Sequence, residues 1–155
     1  MRIESVRVNN HKRAFELSFG GKEYPFPFAK VDPIPTPADP IVSVEIDREV
    51  AYEGFVYLLA SGAEGFVHGE QALDYNQDPD YMRELLLFEL TVAAKQRIQH
   101  SGLAKREIIR RLGTSPAQFY RLIDTTNYTK TVDSMLALLR ALDCDIEVIV
   151  SDRTA

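Results

Sequence analysis

Three histidines and one cysteine are the side chains best suited to metal or nucleophilic chemistry, and their spacing supports neither. His11, His68 and His100 are scattered without a ligand repeat, and Cys144 has no second cysteine with which to share a metal or close a disulfide. His68 and Glu70 flank Gly69 and would share a strand face, where they could act as an acid–base pair; a surface pair is the simpler reading. Neither a G-x-x-x-x-G-K-[ST] nor a G-x-G-x-x-G phosphate loop occurs. The chain is therefore expected to be neither an enzyme nor a metal or cofactor protein. A lone cysteine suits a reducing, cytoplasmic setting.

Phosphate binding is the chemistry that the charge pattern favours. The 155 residues carry a net charge of −5, but the charge is unevenly divided. Residues 1–80 hold 7 Lys/Arg against 14 Asp/Glu, a net of −7, whereas residues 81–155 hold 11 against 9, a net of +2. Within the second half, Lys95, Arg97, Lys105, Arg106, Arg110, Arg111, Arg121 and Lys130 face only Glu107 and Asp124, a local net of +6. A basic island on an acidic protein suits a phosphate footprint, although a solvated helical face has the same composition.

The spacing inside this island is that of two short helices around a turn. Ile108, Ile109 and Leu112 give the segment from Ala104 to Leu112 one apolar face, with Arg106 and Arg110 one turn apart on its outer side. Gly113 ends it. Ser115 can cap the next helix with Pro116 at its first position, and Gln118, three residues after Ser115, completes a capping-box pattern. On this second helix, expected over residues 115–124, Phe119, Leu122 and Ile123 cluster toward the core. Ala117, Tyr120, Arg121 and Asp124 fall on the other side. Arg121 could reach a guanine edge or a phosphate, Ala117 a thymine methyl, and Gln118 or Tyr120 could donate to bases or backbone. Lys105, at the start of the preceding helix, suits a phosphate contact, and Lys130 extends the basic set.

Residues 91–142 resemble the lambda-repressor-like, XRE-type helix-turn-helix family. The resemblance lies in Ser101-Gly102-Leu103, Leu112-Gly113-Thr114-Ser115 and Leu136 to Leu142, which stand at that family's helix ends and fourth helix. It implies that the helix from Ser115 enters a DNA major groove. The family pattern has glutamines at Lys105 and Pro116; lysine keeps a phosphate contact, whereas proline removes a base-reading side chain. An Arg–Glu pair common in the family is replaced at Ile98 and Ile123 by two apolar residues together, which avoids stranding a buried charge. Thr131 should cap a closing helix whose core face is Val132, Met135, Leu136, Leu139 and Leu142. Ile146, Val148 and Val150 then alternate as in a short strand, resembling antitoxin-type members whose strands can pair across a two-fold axis.

The elements expected to carry these residues make an α+β chain of two parts. Phe15, Leu17 and Phe19, then Gly20-Gly21, then Tyr24, Phe26 and Phe28 read as a hairpin, with Pro25 and Pro27 confining its second strand to a sheet edge. Pro33, Pro35, Pro37 and Pro40 predict a stiff connection; a polyproline ligand is the alternative. Val42, Val44 and Ile46, then Phe55 to Leu59, then Phe66 to His68 continue a small, mainly antiparallel sheet ending near residue 73. A β-rich module is thus expected over residues 1–75 and a helical domain with a terminal strand over 79–155. The helix from Pro79 to His100, stopped by Gly102, is apolar almost all round at Met82 and Leu85 to Leu90, so the β module, a second copy, or both should cover it. Apolar runs such as Leu85 to Phe88 are far too short to span a bilayer, and Met1-Arg2-Ile3-Glu4 begins no secretory signal. The expected partner is double-stranded DNA bound by a homodimeric transcriptional regulator. The alternative is an interaction protein, such as an antitoxin, whose N-terminal module holds a protein partner.

Overall fold

A computed structural model describes residues 1–153. They form a mixed α+β chain with two three-stranded antiparallel sheets and five α-helices. The chain divides into two compact units, Met1–Met82 and from Arg83 onward.

In the first unit, β1 (Ser5–Asn9), β2 (Ala14–Phe19) and β3 (Lys22–Pro27) pair in that order. The turn between β2 and β3 uses Gly20 and Gly21 at φ 58° and 73°, the left-handed conformation that a two-residue hairpin requires. Pro25 and Pro27 lie on the edge strand β3, as their missing N–H groups demand. The second sheet pairs β4 (Ile41–Asp47), β5 (Gly54–Leu59) and β6 (Glu64–His68). Alternate residues of both sheets point into one core. Phe15, Leu17, Phe55 and Tyr57 are fully buried there, and the Phe15 ring lies 5.0 Å from Phe28, 5.0 Å from Phe55 and 5.2 Å from Tyr57. The Tyr57 hydroxyl donates to Pro33 O at 2.7 Å, which ties the proline-rich connection to this core. Burial, with the nearby Asp32 charge, pushes that hydroxyl's pKa up to about 12.

Two expectations need correction here. β1 is an additional strand, and the second sheet ends at His68, because α1 (Gly69–Tyr75) occupies the segment expected to close it. His68 is the reason. Its Nδ1 accepts the Glu70 backbone N–H at 3.2 Å, and its own N–H donates to Gln71 Oε1 at 2.8 Å, a complete capping box. His68 and Glu70 are therefore joined through a helix cap and make no acid–base pair. α1 then adds Ala72 and Leu73 to the aromatic core.

The helix α2 (Pro79–His100) starts where Asp78 caps it, through Oδ2 and the Tyr81 N–H at 3.2 Å, and stops before Gly102 at φ 70°. In the second unit, α2 from Arg83 packs with α3 (Lys105–Leu112), α4 (Pro116–Leu122) and α5 (Val132–Ala141). Leu87, Ala94, Ile108, Phe119, Met135 and Leu138 are fully buried in their common core, with Ile98 and Ile123 both packed against it. Val132, Met135, Leu139 and Leu142 face this core as expected; Leu136 does not, being 38% exposed, and Leu138 is buried in its stead. No described residue of 144–153 lies in a helix or strand, so the expected C-terminal strand is absent. Alternation suits Ile146 to Val150 to a strand, but a strand needs a ladder partner, and none of the described residues pairs with it.

Candidate nucleic-acid interface

The turn between α3 and α4 sets the geometry. Gly113 ends α3 at φ 66°, ψ 35°, with its N–H returning to Arg110 O and Ile109 O, so the chain reverses without a side-chain clash. Ser115 then accepts the Gln118 N–H on its hydroxyl at 3.1 Å, and Pro116 occupies the first helical position. The expected capping box forms in this half only; Gln118 makes no return bond, and its side chain is exposed. Ile123 caps the helix end, so α4 stops short of the expected residue 124. Asp124 lies in the following loop, where its carboxylate accepts from Thr126 N at 2.9 Å and Thr126 Oγ1 at 2.7 Å. Those two bonds hold its pKa below the usual carboxylate range.

Phe119 and Leu122 anchor α4 in the core, which turns Ala117, Gln118, Tyr120 and Arg121 to solvent. The Tyr120 ring is 51% exposed, and Lys105 Nζ stands 5.4 Å from its centroid. This cation–π contact joins the start of α3 to the outer side of α4. Lys105, Arg106 and Arg121 are all exposed, and no carboxylate is paired with any of them among the described residues.

The remaining expected cations are engaged elsewhere. Arg110 is paired with Glu107 through Nε at 2.9 Å and through Nη2. Arg111 also reaches Glu107, at 3.3 Å, and donates to Ala141 O at 3.1 Å and Asp143 at 3.2 Å, so it clamps α3 to the end of α5. The Arg110 hydrogen bond, aided by Arg111, holds the Glu107 carboxyl at about 2, well below its ordinary 4.5.

Lys130 is the clearest correction. It is only 7% exposed, and its ammonium donates to Leu122 O at 2.8 Å and Asp124 O at 2.9 Å. It caps the C-terminal end of α4, where a cation meets orphan carbonyls and the negative end of the helix dipole. Burial lowers its pKa. A side chain held inward in this way cannot reach a phosphate.

Arg83 is a structural contributor that no pattern in the sequence singles out. Its guanidinium donates to Tyr128 O at 3.2 Å and Lys130 O at 3.4 Å, which pins the loop after α4 to α2. Nothing local to Arg83 announces this, because its partners lie more than forty residues away. Comparison with protein-family models, with curated proteins and with solved structures finds no match to this chain.

Proposed function

We propose that this chain is a cytoplasmic DNA-binding transcriptional regulator, in which α3, the Gly113–Ser115 turn and α4 act as a lambda-repressor-like helix-turn-helix and α4 enters the major groove. The observation that carries this reading is the exposed group Lys105, Arg106, Tyr120 and Arg121, gathered on α3 and α4 without carboxylate partners. Lys105 and Arg106 contact phosphates, and Arg121 reaches a base edge or a phosphate. Ser115 and Gln118 stand at the helix tip. Pro116 and Ala117 leave few base-reading groups there, so affinity comes mainly from the backbone.

The active species is a homodimer. Ile146, Val148, Ile149 and Val150 are 43%, 84%, 87% and 91% exposed, an apolar run that the same run of a second copy would cover by pairing as a strand. Titration onto duplex DNA across a salt series tests the reading. Each phosphate contact should contribute about −0.9 to the slope of log K against log salt. A flat response, or no binding at low salt, overturns it.

A second reading, binding of a protein partner through the first unit, is favoured by the net −7 of residues 1–80.

A further inference from the structure

The two sheets of the first unit share one core, yet their outer faces have opposite chemistry. On the first sheet, Arg7 lies opposite Glu16, and its guanidinium bonds Glu16 at 3.1 Å and Glu23 at 2.9 Å. Asn9 adds a bond to Glu16 at 3.0 Å. This is the polar outside expected of a sheet covered on one face only.

The second sheet breaks that pattern. Phe55, Tyr57 and Leu59 point inward, so Val56 and Leu58 must point out. Val56 is opposite Phe66, which is 46% exposed, and the bulge between Ile41 and Ser43 leaves Val42 57% exposed. The tip of the Phe66 ring sits against Gly54, where any Cβ would collide with Cζ and Cε2. The ring is thus seated on the Gly54 backbone by one part and left open to solvent over nearly half of its surface.

Carboxylates border this apolar strip. Glu45 is opposite Val56, Glu64 is opposite Leu58, and Asp47 is opposite Gly54. Glu45, Asp47 and Val56 line an open cleft of about 300 Å³ with Ile46 and Arg48. Neither Glu45 nor Glu64 is in an ion pair among the described residues. A second copy is a poor occupant, because a two-fold interface would set this acidic border against itself. Nucleic acid is excluded by the same charge.

We propose that the outer face of β4–β5–β6 docks a partner protein through an apolar strip bordered by lysine or arginine. Val42, Val56, Leu58 and Phe66 form the apolar contact, and Glu45 and Glu64 meet the cations. The site is independent of the DNA-binding reading, since it lies wholly in the first unit.

The test uses the full chain with labelled methyl groups and two probes: a peptide alternating leucine with lysine, and its counterpart alternating leucine with glutamate. The lysine peptide should shift the Val42, Val56 and Leu58 methyl resonances, and the glutamate peptide should not. Phe66→Ser, and separately Glu45→Lys combined with Glu64→Lys, should each weaken the lysine peptide about tenfold or more. Circular dichroism checks that the variants fold; Val42→Thr, away from Gly54, serves if Phe66→Ser does not. Silence toward both peptides, equal response to both, or self-association abolished by the Phe66 or Val42 variant overturns the proposal. A chain that binds the lysine peptide here but no DNA retains this site and loses the regulator reading.

Discussion

The loop after α4 and the outer surface of α3 and α4 both come from one basic stretch of sequence, and they use their cations in opposite ways. Lys130 turns inward and saturates the carbonyls that end α4. Lys105 and Arg121 turn outward, one over the Tyr120 ring and the other into solvent. The contrast with Lys105 is set by what lies within reach: a helix C-terminus offers orphan carbonyls to a neighbouring lysine, whereas the start of α3 offers N–H groups that repel one. Arg121 lies in the last turn of α4 and is turned outward by its place on the helix face opposite Phe119 and Leu122. A cation count therefore overstates a phosphate footprint wherever helix ends lie close by.

The strongest way to break this contrast is at Lys130. Lys130→Met should lower the unfolding free energy by about 3 kcal/mol, through two lost charge-assisted bonds and a Leu122 carbonyl left without that donor, as read by denaturant unfolding. Its salt slope for DNA binding should stay unchanged. Arg121→Ala should do the reverse, weakening DNA binding by about 1–3 kcal/mol while the folded state keeps its stability. If both variants lost stability alike, or both lost binding alike, the two regions would not differ as argued. Lys105→Ala sharpens the outward side: the salt slope should become shallower by about 0.9, with little preference among DNA sequences.

The smallest expected effect concerns Glu107, which neutralises Arg110 and Arg111 between the two regions. Its folded pKa is depressed to about 2 from 4.5. The stabilisation is accordingly full above about pH 4.5 and is lost as the pH falls toward 2. Carboxyl-carbon NMR should show Glu107 titrating near pH 2, and Glu107→Gln should remove its share of the acid-induced loss. A midpoint near 4.5 would mean that the pair with Arg110 does not persist in solution.

Much of the local structure was legible in the residues. Phe15 to Phe28 announced the hairpin by alternation and Gly20-Gly21. Asp78-Pro79 and Gly102 marked both ends of α2, and Gly113, Ser115 and Pro116 marked the turn before α4. Each is a short-range effect, written within a few residues of where it acts. α1 was not legible, because seven residues show too little of a 3.6-residue period and its cap is an imidazole in place of the usual hydroxyl or carboxylate. The C-terminal alternation suits a strand, but side-chain pattern reports only preference; the hydrogen-bonded ladder needs a second strand that no part of the described chain supplies.

The candidate surface divides along the same line. Ser115, Ala117, Gln118, Tyr120 and Arg121 followed from one cap and one helical period, so their common exposure could be read from spacing alone. The fates of Arg110, Arg111 and Lys130 could not, nor could the apolar outer face of the second sheet. Helix starts, turns and the basic island were determined by the sequence itself, since propensity, capping and charge act locally. Which cations remain available, and which apolar face stays uncovered, was decided only in the tertiary structure. The Arg111–Ala141 bond exists only once segments thirty residues apart meet, and the turn of Lys130 back onto Leu122 and the contact of Phe66 with Gly54 form only once the loop after α4 and the strands β5 and β6 are folded.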